Sequence, residues 1–216
     1  GVAVFALFKV NPEQFCNQIK KGLEWLARTQ NPDGGWGDTD GADPSNLSTT
    51  LLCRAAFYGC RAIGQYELTL NKAERWIGAK VGSLDPKAIV EAVYHTYGQD
   101  RTFAVPILTM CALADCLGPD GWRHVVALPF ELAIFPRWFF RWLNLSVVSY
   151  ALPALIAMGQ ARFYFNPPGN FVLRWIRGAV RQKTLRFLER LQPANGGFLE
   201  AAPLTGFVTM CLAAMG

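Results

Sequence analysis

The stretch KGLEWLARTQNPDGGW, residues 21–36, returns later in the chain as KTLRFLERLQPANGGF, residues 183–198. Each copy has a lysine, then an aromatic residue followed by leucine, then a glutamine, and finally a glycine separated by one residue from a second aromatic. The spacing of these residues is the same in both copies. A fixed internal pattern indicates a repeat architecture, in which each unit covers the apolar face of its neighbour.

The first copy predicts a helix that ends in a tight corner. We expect the helix to end at Thr29, because the NPDGGWGD that follows is dense in turn-forming residues. Gly34 and Gly35 permit a backbone path that a Cβ would obstruct, so that Trp36 can fold back on the helix end. Gln30 can offer its amide to backbone groups at helix termini, which otherwise lack partners. Three side chains are expected on the buried face of this helix: Leu23, Trp25 and Leu26.

Helical patterns fill most of the remaining chain, and strand signals are poor. Asn46 is the expected N-cap of the helix after the first corner. Further helices are predicted at residues 71–79, 86–97, 102–117, 146–160, 171–191 and 203–215. Short links between many helices favour antiparallel helix pairs. The predicted fold is therefore all-α, with a partial α/α toroid.

The first copy fits the QW repeat of triterpene cyclases at every defining position: Lys21, Gly22, Trp25, Leu26, Gln30, Gly34 and Trp36. The second copy keeps Lys183, Phe187, Leu188, Gln192 and Gly196. It departs from the repeat at Thr184, where glycine is usual, and at Phe198, where tryptophan is usual. A weaker trace comprises Lys72, Trp76 and Ile77, with Val81 in place of the glutamine.

The rest of the chain also resembles the squalene–hopene cyclase family. The segments DRTFAVPILTMCAL, ALPFELAIFPRWFF, VVSYALPALIAMGQ and GGFLEAAPLTGF follow the order found in that family. The resemblance implies an all-helical isomerase of triterpenoid and hopanoid biosynthesis, which protonates a polyprene such as squalene and folds it into fused rings. It also implies two toroid domains. Residues 1–216 resemble the one without the catalytic acid, as a single domain cut from a longer chain whose second toroid would be its partner.

No catalytic residue is expected in this chain. The resembled family uses a DxDD motif in its other domain, and no DxDD occurs here. The nearest acids are Asp38, Asp40 and Asp43, in a turn where acidic residues are ordinary. A proton donor should instead be buried and held protonated by its surroundings. No cofactor and no metal are expected.

The contribution expected of this domain is part of the wall of a hydrocarbon cavity. Carbocations need a dry site with π faces and no nucleophile. Tyr150 lies where bacterial cyclases of the resembled family tend to carry a cavity tryptophan, with ordinary packing as the open alternative. Ala201, Ala202 and Pro203 align with a loop that reaches the cavity in that family.

A membrane surface is the other expected partner, with the protein lying monotopically on the cytoplasmic face. The apolar run 143–158 falls short of the ~20 residues needed to span a bilayer, and a buried core helix is its alternative. Trp and Arg favour the headgroup boundary, while Phe favours acyl chains. The candidate contacts are Phe135, Arg137, Trp138, Phe139, Phe140, Arg141 and Trp142. A later basic group, Arg177, Arg181, Arg186 and Arg190, is interpreted as a solvated helix face or one touching anionic headgroups.

Composition narrows the function classes. Hydrophobic residues make up 51% of the chain and charged residues 17%, which excludes a disordered protein. The net charge is +5, but the arginines are interleaved with large apolar groups, so nucleic acid is not expected as a partner. Glu131 lies among apolar residues and should need an ion-pair partner, with Arg101 or Arg123 as candidates.

Two other functions stay open at this point. Protein prenyltransferase β-subunits are also helical toroids, but they need zinc ligands, and His95 and His124 are the only histidines in the sequence. A lipid-binding or scaffold module could have kept the repeats without the chemistry. Homodimer formation also stays open.

Overall fold

The computed structural model describes residues 1–39, 43–98, 104–135, 152–198 and 201–216. Within those ranges the chain is helical and forms no strand, which confirms the all-α class. The chain divides into two compact units, Gly1–Val126 and Ala127–Gly216. The toroid arrangement and the single-domain boundary stay predictions.

In the first unit the central helix is α3, Leu47–Gly59, which contacts α1, α2, α4 and α6. The other α-helices described in this unit are α1 Val2–Val10, α2 Cys16–Arg28, α4 Glu67–Val81, α5 Pro86–Tyr97 and α6 Ala104–Leu113. Phe57 on α3 and Leu108 on α6 are fully buried. The core of this unit therefore lies around α3.

The second unit contains a short 3₁₀ helix, Phe130–Ile134, followed by α7 Leu152–Phe165, α8 Phe171–Leu191 and α9 Ala202–Met215. α7 contacts both α8 and α9, and the 3₁₀ helix packs against α7 and α8. Ile156 and Met158 on α7 and Met210 on α9 are fully buried. α7 is thus the helix shared by the packing of this unit.

Two predicted helices, 86–97 and 171–191, match α5 and α8 residue for residue. Asn46 is confirmed as the N-cap of α3, because its Oδ1 accepts the N–H of Thr49 at 2.9 Å. α4 begins before the predicted residue 71, since the 3₁₀ turn Gly64–Tyr66 leads directly into it. α6 ends before the predicted residue 117, and Asp115 beyond it has a left-handed φ of 58°. Parts of the predicted 102–117 and 146–160 helices lie outside the described residues.

The first corner closes on the end of α2, as the sequence predicts. The indole Nε1 of Trp36 donates to the carbonyl of Leu26 at 2.9 Å, and its backbone N–H donates to Oγ1 of Thr50 at 3.0 Å. Gln30 Nε2 donates to the carbonyl of Gly34 at 2.8 Å and to that of Thr69 at 2.9 Å. The first of these closes the turn, and the second ties the turn to the start of α4.

α4 covers this corner closely. Gly34 has a φ of 96°, and a Cβ there would lie 2.7 Å from the carbonyl oxygen of Lys72 on α4. Trp76, from the weaker repeat trace, donates from Nε1 to the carboxylate of Asp33 at 3.0 Å. The glycine is therefore required both by its backbone conformation and by the approach of α4.

The second corner repeats the same closure. Gln192 Nε2 donates to the carbonyl of Gly196 at 2.9 Å, and the N–H of Phe198 donates to Oγ1 of Thr205 at 2.9 Å. Gly196 is left-handed, with a φ of 80°. The two copies of the sequence pattern thus fold into the same helix–turn–helix corner.

Thr184, the departure from the repeat in the second copy, has a structural reason. In the first copy the equivalent Gly22 faces α1, and a Cβ there would lie 2.4 Å from Cγ2 of Val4. In the second copy the buried hydroxyl of Thr184 instead accepts a hydrogen bond from Nε2 of Gln160 on α7 at 2.7 Å. A close apolar contact with the preceding helix is replaced by a buried hydrogen bond to it.

The expectation that Trp25 is buried was wrong. Its side chain is 44% exposed, whereas Leu23 and Leu26 are buried. Successive helical residues are about 100° apart, so a residue two positions after Leu23 points away from the face that Leu23 and Leu26 share. Trp25 therefore contributes little to the core.

Trp36→Ala should lower the free energy of unfolding by about 3–5 kcal/mol, because it removes a large buried aromatic side chain. Trp25→Ala is the matched control, and a clearly smaller loss is expected because that side chain is 44% exposed. Urea denaturation followed by circular dichroism measures both variants. Equal losses in the two variants would contradict the corner assignment.

Candidate functional site

The start of α9 carries the described part of the predicted cavity wall. Ala201 is half-buried and caps the helix, and its N–H donates to the carbonyl of Phe198 at 3.1 Å. Ala202 and Pro203 are exposed in the first turn. The second corner thus positions all three residues, while their contact with a substrate stays a prediction. Tyr150 lies outside the described residues.

The acidic turn after the first corner has a structural role. Oδ1 of Asp38 accepts hydrogen bonds from Oγ1 of Thr49 at 2.7 Å and from Nδ2 of Asn46 at 2.8 Å. These bonds lower the pKa of the exposed Asp38 carboxyl below its ordinary value, the opposite of what an acid that protonates an alkene requires. Asp43 accepts from the hydroxyl of Thr39 at 2.8 Å, and Asp40 lies outside the described residues.

Glu131 forms an ion pair, but with a different partner from those expected. Nη2 of Arg177 donates a hydrogen bond to Oε1 of Glu131 at 3.0 Å. Nε of the same guanidinium lies 3.0 Å from Oε2 as an ion contact without hydrogen-bond geometry. The same guanidinium lies over the Phe130 ring, 5.5 Å from its centroid. Arg123 is exposed and pairs with Asp120, and Arg101 lies outside the described residues.

The assignment of Arg177 to a solvated face was therefore wrong. Arg177 is only 4% exposed, and with Thr184 and Leu188 it lies on the buried face of α8. Arg186 and Arg190 are exposed, as expected. Arg181 is half-buried over the ring of Tyr164, at 5.5 Å from the centroid.

The sequence analysis did not predict a group of exposed apolar side chains at the end of α7 and the start of α8. We call it the aromatic patch, and it comprises Tyr164, Phe165, Phe171, Val172, Trp175 and Ile176. Phe171 is 78% exposed and Trp175 is 67% exposed, with the exposed Arg174 between them. Helical spacing predicts the exposure of Phe171 and Trp175 once the buried face of α8 is known. Residues 171 and 175 lie on a different side of the helix from residues 177, 184 and 188. Of the predicted membrane contacts, Phe135 is exposed and the others lie outside the described residues.

Burial suppresses the reactivity of most of the thiols. All six cysteines are free, and Cys16 is exposed at the start of α2. Burial raises the pKa of Cys53 to about 11 and that of Cys60 to about 12. It also raises the pKa of Cys111 and Cys211, and that of the half-buried Cys116 to about 11. These five thiols are therefore protonated at neutral pH.

The described ranges contain neither a candidate metal site nor a candidate membrane span. No cluster of histidine, cysteine, aspartate or glutamate there could hold a metal ion. None of the helices in those ranges has the length and apolarity needed to cross a bilayer.

Comparison with known proteins gives no relative: no family model, no curated protein and no solved structure matches this chain.

Arg177→Ala should lower the free energy of unfolding by about 3 kcal/mol, because it leaves the largely covered Glu131 carboxylate without its cation. Arg186→Ala, on the same helix but exposed, should change it by less than about 0.5 kcal/mol. Guanidinium chloride would screen the charges, so thermal and urea unfolding are the measurements. An Arg177→Ala protein as stable as the control would exclude a structural role for the pair.

Proposed function

We propose that residues 1–216 form the non-acid-bearing part of a class II terpene cyclase that converts squalene or a related polyprene into polycyclic products. The observation that carries the proposal is the pair of matching corners. Two copies of the QW pattern begin 162 positions apart, at Lys21 and Lys183. In each, the glutamine amide donates to the glycine carbonyl, and the backbone N–H of the aromatic residue donates to a threonine hydroxyl. In this proposal the α/α toroid forms one wall of the cavity, and the proton comes from a DxDD motif elsewhere in the enzyme.

The aromatic patch supports membrane association of such an enzyme. Its substrate is a hydrocarbon that dissolves in bilayers rather than in water. Trp175 and Phe171 stand out from α8 beside Arg174, and amphipathic aromatic and cationic side chains favour the headgroup boundary. We place the protein on the cytoplasmic face as a peripheral, monotopic protein.

The same patch also favours the second candidate, a lipid-binding module without catalytic chemistry. The two candidates share membrane binding and differ in turnover. A protein prenyltransferase-like toroid would differ from both by containing zinc, which metal analysis of the purified protein detects.

We expect the complete protein encoded by the gene, solubilised in detergent, to convert squalene into polycyclic hydrocarbons detectable by gas chromatography and mass spectrometry. Residues 1–216 alone should give none, because the catalytic acid is placed outside them. Replacement of the DxDD acid by asparagine is the control and should abolish product. If a complete protein containing DxDD converts neither squalene nor related polyprenes, the cyclase proposal fails, and retained vesicle binding would then favour the lipid-binding module.

Residues 1–216 should co-sediment with vesicles of phosphatidylcholine containing phosphatidylserine. Phe171→Ser and Trp175→Ser should each weaken the partition coefficient about tenfold, since inserting one large apolar side chain contributes about 1.5–3 kcal/mol. Leu68→Ser is the matched control, because Leu68 is 79% exposed but lies on α4, outside the patch. Equal weakening by all three variants would show that the patch is not the membrane contact.

A further inference from the structure

The second corner has an open groove where the first corner is covered. The groove is about 240 Å³ in volume. Its walls include Leu185, Leu188 and Glu189 of α8 and Val208, Thr209 and Leu212 of α9. This volume is below the roughly 300–1,000 Å³ of small-molecule pockets. An open apolar groove of this size between two helices suits the side chains of a third helix.

The first corner shows what fills the equivalent groove. Aligning the two lysines of the repeat places Leu185 and Leu188 at the positions of Leu23 and Leu26. The helices after the two corners are aligned through Thr50 and Thr205, whose hydroxyls accept the backbone N–H of Trp36 and of Phe198. This alignment places Val208 at the position of Cys53, Thr209 at that of Arg54 and Leu212 at that of Phe57. In the first unit these α3 side chains are buried, and α4 packs on α3.

No counterpart of α4 lies over the second corner in the described part of residues 127–216. A Cβ built on Gly196 would meet no atom within 4 Å, whereas one on Gly34 would meet α4 at 2.7 Å. Gln192 is exposed, whereas Gln30 is half-buried and donates to the carbonyl of Thr69 on α4. The turn geometry that admits a close helix is therefore present at the second corner, and no helix covers it among the residues that the structure describes.

The charge of the groove indicates how its occupant differs from α4. In the first unit Arg54 pairs with Glu74 of α4 at 2.9 Å. The second corner has the neutral Thr209 at the position of Arg54, and it has Glu189 at the position of the neutral Ala27. The charged group of the groove has thus changed from a cation to an anion.

We propose that this groove binds an amphipathic partner helix of the α4 type that presents a cation to Glu189. The apolar stripe of α4 consists of Leu70, Ala73 and Ile77, so the occupant has an aliphatic residue, a small residue three positions on and an aliphatic residue four positions after that. A carbonyl in its first turn receives the amide of Gln192, as Thr69 receives that of Gln30. The interaction does not depend on cyclase activity.

The probe is a fluorescent peptide of residues 67–81 with Glu74→Lys, stapled across its exposed face because an isolated helix of this length is marginal in water. Its binding to residues 1–216 is measured by fluorescence anisotropy. Saturable binding is expected, and it should exceed that of the peptide with the native Glu74. Leu212→Arg should weaken binding about tenfold or more, since it places a charge in the apolar groove. Ala179→Arg, exposed on α8 outside the groove, should leave binding unchanged.

Thr209→Arg provides a test that does not rely on loss of binding. It restores the cation found at Arg54, so the protein should now prefer the peptide with the native Glu74. Circular dichroism establishes that each variant is folded. Four results would each overturn the proposal: no saturable binding, equal weakening by Ala179→Arg, an unchanged peptide preference in Thr209→Arg, or a dimer that Leu212→Arg dissociates. The last of these would identify the groove as a contact between two copies of this chain.

Discussion

The closure of Trp36 on the last turn of α2 is the interaction on which the first unit depends. The indole N–H satisfies the carbonyl of Leu26, and the ring fills the space between α2 and α3. Carbonyls in the last turn of a helix lack intrahelical partners. The indole bond therefore lets α2 end without leaving the carbonyl of Leu26 buried and unpaired. The left-handed Gly34 then lets α4 approach. Chain reversal, helix termination and packing therefore follow from a few neighbouring residues.

The second corner separates what this closure requires from what it tolerates. Both copies contain the glutamine and the left-handed glycine that it bonds. In both, the backbone N–H of the aromatic residue donates to a threonine hydroxyl. The indole N–H occurs only in the first copy, since Phe198 is buried without one. The residue facing the preceding helix also varies, being Gly22 in one copy and Thr184 in the other. The turn itself is thus constrained by hydrogen bonds between side chains and the backbone, while the contacts around it can be exchanged for others of equivalent fit.

The sequence was informative where the cause is local. Turn formers and the Asn46 cap act on their immediate neighbours, and the first corner, this cap and the bounds of α5 and α8 were predicted correctly. Long-range choices were not. Glu131 pairs with Arg177, 46 positions away, and nothing in the spacing of the two residues distinguishes that arginine from its neighbours on α8. The exposure of Phe171 and Trp175 could be found only after the buried face of α8 was known.

The distribution of thiols has a practical consequence. Cys16 is exposed at the start of α2, whereas Cys116 is half-buried and the other four cysteines are buried. Burial raises the pKa of all five of these thiols and keeps them protonated. A maleimide dye should therefore react fastest at Cys16, which lies at the opposite end of α2 from the first corner. The same atom is where two molecules would become covalently cross-linked on storage in air, so samples kept without reductant should accumulate a species of doubled mass.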